Sequence, residues 1–239
     1  MAKVALQLFS IKDIANERGI FSALQVAKAL GYDGVELAGY KDKTVPEIKE
    51  ELDRLGLEVA GAHINVQEIK NTPNIVEDLK LLGAYSICVP HYKIECLDDA
   101  IACGKAVNEL APIFKDTGIK YGYHNHSAEY KEAGSKFYID YIFEQCNPDE
   151  VFYELDTRHV AYAGFNPTVE AIKYSGRIPV LHARDFDGTD DCAVGEGVVD
   201  FKSVVKEANG VEWFVVENGN IGSNLEELRR SLVYLKENF

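Results

Sequence analysis

Residues 123–130 read YHNHSAEY and place two imidazoles, a carboxamide and a carboxylate in one short stretch. Groups of this kind bind metal ions, move protons, or close a polar corner by hydrogen bonding. Three later segments carry similar chemistry: ELDTRHVAYAG (154–164), LHARDFDG (181–188) and VVENG (215–219). Upstream, Glu36, His63 and His91 stand alone. Five of the six histidines lie at or near the end of a short apolar or β-branched run, and His159 lies just beyond one. Side chains on a strand alternate, so His124 shares a face with His126, and Glu154 shares one with Asp156. Imidazole nitrogen combined with carboxylate oxygen suits Mn, Co, Zn or Fe better than Mg.

The elements that must position these groups alternate regularly. Strand-like runs are expected at 4–10, 33–39, 57–65, 85–91, 119–126, 151–157, 178–185 and 212–219. Helical spacing follows each of them, at 20–31, 44–56, near 73–83, 96–117, 135–146, near 167–175, near 200–208 and 223–237. Thr44 is a plausible N-cap, and Gly31 and Gly56 stand where helices end. Eight strand–helix units imply a parallel sheet with right-handed crossovers. At 239 residues the reading is a single (β/α)₈ barrel, one domain over 1–239. An open doubly wound sheet is the alternative, but no GxGxxG turn follows the first strand. In a barrel the chemistry sits at the C-terminal ends of the strands, where the histidines and acids gather.

The bulk numbers exclude several classes. Hydrophobic residues make up 46% and charged residues 27%, which suits a folded globular chain. A net charge of −14, with no cluster of bases, opposes nucleic-acid and anionic-membrane partners. Five cysteines without a CxxC argue against a disulfide framework or a zinc ribbon. No apolar run reaches signal-peptide or transmembrane length, so a cytoplasmic location is expected.

The motifs, taken in order, resemble the xylose isomerase-like barrels of the sugar-phosphate isomerase/epimerase superfamily. GYDGVEL (31–37) resembles the family's second strand and GAHIN (61–65) its third. ELDTRHVAYAG is similar to its D-T-x-H segment, LHARDFDG to its H-x-K/R-D segment, and VGEGVVDF (194–201) to its G-x-G-x-x-D/N-F segment. The resemblance implies a divalent metal held by Asp156, His182 and Glu217. His124 stands where many relatives carry a first Glu ligand, because this chain reads H-N-H where they read E-N-H. With His124 as the fourth ligand the filled site would be formally neutral.

The same resemblance implies a sugar or keto-sugar substrate, a divalent metal cofactor and isomerase or epimerase chemistry through an enediolate. Glu217 would be ligand and base, with Glu129 or Glu154 as the second acid–base group. Glu36, His63, His91, His126 and Arg184 would contact substrate, Arg184 through a substrate oxygen or phosphate. Enolisation beside a leaving group would instead make a lyase or dehydratase. An endonuclease IV-like nuclease and a non-catalytic binding barrel are weaker alternatives, and a homo-oligomer is expected by analogy alone. Structural roles compete with these: a hydrogen-bonded rim histidine for His182, a loop cap for Asp156, and an ion pair to Arg184 for Glu217.

Overall fold

The structure is a computed structural model that describes residues 2–40, 43–219 and 225–239. The strands are β1 Lys3–Gln7, β2 Gly34–Leu37, β3 Glu58–Ala62, β4 Ser86–Val89, β5 Lys120–His124, β6 Val151–Asp156, β7 Val180–Ala183 and β8 Trp213–Val216. They form one parallel eight-stranded sheet in the order β3-β2-β1-β8-β7-β6-β5-β4. Its two ends meet. The Tyr85 N–H donates to the Val59 carbonyl at 2.9 Å and the Ile64 N–H to the Cys88 carbonyl at 3.1 Å. The expected (β/α)₈ barrel is therefore the fold. Among the described residues no helix is long and apolar enough to cross a membrane.

Alternation along the strands divides the core. Outward-facing Leu6, Val35, Val59, Tyr121 and Tyr123 pack in the large cluster shared with the helices. Inward-facing Ala5, Ala60, Cys88, Phe152, Val180, Trp213 and Val215 form a separate apolar plug. The plug fills the lower barrel, so polar groups above it have no route to water from below.

The helices follow local signals. The helix Val45–Leu55 opens on a capping box between Thr44 and Glu47 and ends at Gly56, whose φ is 62°. The helix Ile20–Leu30 ends at Gly31 with φ 97°. The expected helix 135–146 is shorter, Tyr138–Glu144, because Lys136–Phe137 pairs with Glu132–Ala133 as a small hairpin. Three short helices, Lys12–Arg18, Val66–Asn71 and Thr157–Tyr162, were not anticipated, since one or two turns give too little periodicity to read. The last helix is Leu225–Asn238, and the expected start at 223–224 lies outside the described residues.

One irregularity positions a functional side chain. Pairing between β2 and β3 runs Val35↔Val59 and then Glu36↔Gly61, so β3 carries one extra residue. That bulge reverses the alternation beyond it. Val59 faces outward, yet His63 faces in, where regular alternation would have turned it out. Gly61 makes room for the result, because a Cβ there would lie 2.5 Å from Glu36 Oε1 and 2.8 Å from Ser86 Oγ. Gly61→Ala is expected to lower stability by about 1–3 kcal/mol through this overpacking. Urea unfolding measures it, and an unchanged midpoint would contradict the assignment.

Candidate active site

Four side chains from four strands meet just above the apolar plug. His63 Nε2 lies 2.7 Å from Glu154 Oε2 and 3.1 Å from Glu36 Oε2. His182 Nε2 lies 2.8 Å from Glu36 Oε2 and 3.4 Å from Glu154 Oε2. Gln7 donates from Nε2 to Glu36 Oε2 at 2.5 Å. Glu36, Glu154 and His182 are fully buried.

A second layer lies toward the strand ends. His124 presents Nδ1 to Glu154 Oε2 at 3.2 Å and Nε2 to Asp156 Oδ2 at 3.9 Å. His182 turns its other nitrogen, Nδ1, to Glu217 Oε2 at 3.2 Å. Backbone clamps fix this layer. Asn125 accepts the Asp156 N–H at 2.8 Å, which ties the end of β5 to the end of β6. Thr157 Oγ1 donates to the Arg184 carbonyl at 2.6 Å. Asp185 accepts the N–H groups of Phe186, Gly195, Gly197 and Val199, which shapes the loop after β7.

The charges are mutually dependent. Burial pushes Glu36 up, and the nearby Glu154 adds to that. Burial would raise Glu154 too, but His182 and His63 outweigh it and hold Glu154 below the usual range. Burial alone would lower His182, yet Glu154 and Glu36 raise it well above the ordinary imidazole value. His63 rises through the same two carboxylates against the same penalty. His124 is the opposite case: burial, then the neighbouring His182 and His63, push it well below, so its ring is neutral. Burial and His159 push His126 down to about 4. Neutral imidazoles keep a lone pair free for a cation or a proton.

Two overlapping sets of donors result. His63, His124, Glu154 and His182 each offer an atom within 4.8 Å of the others, and so do His124, Asp156, His182 and Glu217. The second set is the one that the resemblance implied. A cavity of about 370 Å³ opens above both, lined by Gln7, Phe9, His63, His91, His124, His126 and Glu217. A larger cleft of about 750 Å³ lies at the other end of the barrel, beside Lys120, Phe152, Pro179 and Glu212, and includes none of these imidazoles.

Some expected residues are placed elsewhere. Glu129 accepts from the Tyr123 hydroxyl at 2.7 Å and from the His126 N–H at 3.1 Å. Tyr123 faces the helices, so Glu129 is turned away from the cavity and its expected acid–base role has no geometric support. Glu154 lies beneath the cavity floor, closed off from any substrate. Arg184 does not line the cavity. Its guanidinium pairs with Asp156 at 3.2 Å, Asp191 at 3.1 Å and Glu217 at 3.7 Å, which leaves it little to offer a substrate phosphate. His91 is exposed at the lip, with its ring 5.8 Å from that of His126. Glu36 instead holds His63, His182 and Gln7. The formal neutrality expected from four ligands undercounts the site, which also contains Glu36, Glu154 and Arg184.

Two contributors went unread in the sequence. Gln7 ends β1 on the inward face, a parity signal that was available. Asp191 pairs with Arg158 and Arg184 only because a two-strand hairpin returns it to them. The structural alternatives also hold: Asp156 Oδ1 accepts the His159 N–H at 2.8 Å, and Glu217 does face Arg184.

The model of the xylose isomerase-like TIM barrel family matches residues 24–238. The chain belongs to that family. Among relatives of this barrel, an inosose dehydratase of Clostridium beijerinckii is 23% identical over 94% of this chain and 91% of that protein. A crystal structure of a sugar phosphate isomerase/epimerase from Parabacteroides distasonis superposes with a TM-score of 0.80, at 23% identity, over 100% of this chain and 95% of that one. The zinc-bound structure of the IolI protein superposes on the same barrel with a TM-score of 0.73, at 16% identity, over 98% and 96% of the two chains.

Arg184 provides a test of the site's electrostatics. Burial raises Glu217 and Asp191, but Arg184 leads the attractions that hold both below the usual carboxylate range. A lowered carboxylate adds stability above its unfolded value and loses it as pH falls through the folded one. Arg184→Met should therefore cost about 3 kcal/mol near neutral pH, and less as pH falls below the carboxylate range. Urea midpoints of both proteins in chelator, from pH 7 to pH 3, measure the gap. A gap independent of pH would contradict the pairing.

Proposed function

We propose that this protein is a divalent-metal-dependent enzyme that removes a proton beside the carbonyl of a keto-sugar or cyclic keto-polyol. The observation that carries the reading is the cavity floor, lined by Glu217 and His124, with the fully buried His182 behind it and its Nδ1 3.2 Å from Glu217 Oε2. The residues fit a metal. His124 Nδ1, Glu36 Oε1 and Glu154 Oε1 are buried without hydrogen-bond partners, and the nitrogen–oxygen donor set suits Mn, Co, Zn or Fe over Mg. His124 and His182 would hold the ion, with carboxylates from the flanking sets. A bound divalent ion supplies Lewis acidity toward a carbonyl or hydroxyl oxygen of the substrate.

The chain's own residues do the rest. Glu217 is the proposed base: it lines the cavity, and Arg184 and His182 keep it ionised. His126 is proposed to contact substrate, since it lines the cavity and its ring is neutral. His91 would contact substrate at the lip. Glu36 and Glu154 are proposed to orient His63 and His182 rather than to touch substrate, as outer carboxylates do for ligating imidazoles.

Removing the proton leaves an enediolate, which has two fates. Loss of the hydroxyl on the next carbon, which leaves as water after taking up a proton, makes the protein a dehydratase. The likeness to inosose dehydratase over nearly the whole of both chains favours this outcome. Return of the proton to the other carbon or face makes it an isomerase or epimerase, and the likeness to the Parabacteroides distasonis structure supports that second reading. NMR of a panel of keto-sugars and keto-polyols in deuterated water separates them. A product lighter by water marks elimination, and a deuterium-labelled isomer marks isomerisation. Glu217→Gln is expected to slow either by roughly 10²–10⁴-fold. No exchange and no product across the panel, or full activity of Glu217→Gln, would sink the proposal.

A further inference from the structure

We propose that Phe9 is the platform on which the C–H face of an uncharged, ring-shaped polyol lies in the cavity. This rests on the reading that the cavity takes a keto-sugar or cyclic keto-polyol, and it fixes which side of the ring meets which wall.

Phe9 is left out of the core by its own segment. The 3₁₀ turn Leu8–Ile11 follows β1, and within it Leu8, Ser10 and Ile11 are buried while Phe9 is 45% exposed. The buried constellation holds this turn in place. Gln7 Oε1 accepts the Phe9 N–H at 3.1 Å, and Gln7 Nε2 donates to Glu36 Oε2 at 2.5 Å. The Lys12 ammonium stands over the Phe9 ring, 4.0 Å from its centroid. Phe9 and Lys12 share a small apolar niche with Leu8, Ala15 and Ile20. Phe9 also lines the cavity of about 370 Å³, which Lys12 does not. The ring thus stands between that ammonium and the cavity.

The cavity has two unlike sides. Phe9, Ala38 and Gly39 lie together, since all three also border the niche, and Gly39, with φ 83°, adds no side chain. This side is apolar. His124 and His126 come from the end of β5, four strands from β1 around the closed sheet, so they lie across the barrel from Phe9. A ring polyol has the same division: C–H bonds project from its faces and hydroxyls surround its edge. C–H hydrogens carry partial positive charge and pack against the negative face of an aromatic ring. A phenyl group cannot hydrogen-bond a hydroxyl, so the Phe9 side selects shape and the polar groups select hydroxyls.

The charges favour an uncharged ring. The described lining carries two carboxylates, Glu68 and Glu217, and no lysine or arginine. Arg184 is paired with Asp156, Asp191 and Glu217. A substrate phosphate would therefore meet carboxylates in a partly desolvated space, where like charges repel strongly.

The test measures binding, on the full chain in Mn²⁺. The probes are inositol, a cyclic hexol with no carbonyl to enolise, and inositol monophosphate, and calorimetry gives the affinities. Phe9→Ala is expected to weaken inositol binding about 10-fold or more, while Phe9→Tyr, which keeps the aromatic face, stays within about threefold of wild type. Inositol monophosphate is expected to bind wild type at least about 10-fold more weakly than inositol. Should Phe9→Ala fail to fold, Phe9→Leu, which keeps bulk and removes the ring, is expected to lose at least about threefold. The inference is overturned by Phe9→Ala that binds inositol as tightly as wild type, by tighter binding of the monophosphate, or by wild type that binds neither probe. Failure of the catalytic reading looks different: inositol binding that depends on Phe9, with no turnover of any keto-sugar or keto-polyol.

Discussion

The structure depends on bringing carboxylates and imidazoles together in a space that water cannot reach from below. Burying an ionised group is costly unless it is paired, and this barrel buries Glu36, Glu154, Asp156 and His182 completely. The cost is offset by convergence. The plug of Trp213, Phe152 and Val180 seals the lower barrel, and the closed sheet aims successive strand ends at one point. No single strand holds more than a fragment of the site, so its geometry is a property of closure itself.

Closure also explains the local devices. The extra residue in β3 turns His63 inward, and Gly61 leaves space for Glu36 beneath it. Asn125 stitches the end of β5 to that of β6, and Asp185 gathers four backbone N–H groups into the loop beyond β7. Arg184 is held by Asp191 on one side and faces Asp156 and Glu217 on the other, which sets the potential of the upper layer. The H-N-H segment is thus three parts with three tasks. His124 points into the barrel, Asn125 clamps the backbone, and His126 faces the cavity.

Much of this was legible in the sequence, for physical reasons. Strand and helix periods differ, so eight alternating units could be counted, and histidines at strand ends implied convergence. Other features were not legible. The bulge is a change of hydrogen-bond register, and nothing in LEVAGAHIN marks it. Glu129 sits one turn beyond β5, and only folding decides that it closes back onto Tyr123. Arg184 was expected to meet substrate, but its partner Asp191 comes from a hairpin too short to show a pattern. The set of His63, His124, Glu154 and His182 is not legible either, because its members come from four separate strand ends that only barrel closure brings together.

The central claim is that the buried constellation is completed by a divalent cation. The most direct measurement is the thermal stability of chelator-stripped protein with and without Zn²⁺. At a free zinc concentration 100 times the dissociation constant, binding to the folded chain should add about 2.7 kcal/mol and raise Tm by roughly 5–10 °C. A Tm that does not rise with zinc would show that the imidazoles and carboxylates satisfy one another without an ion, and would contradict the account.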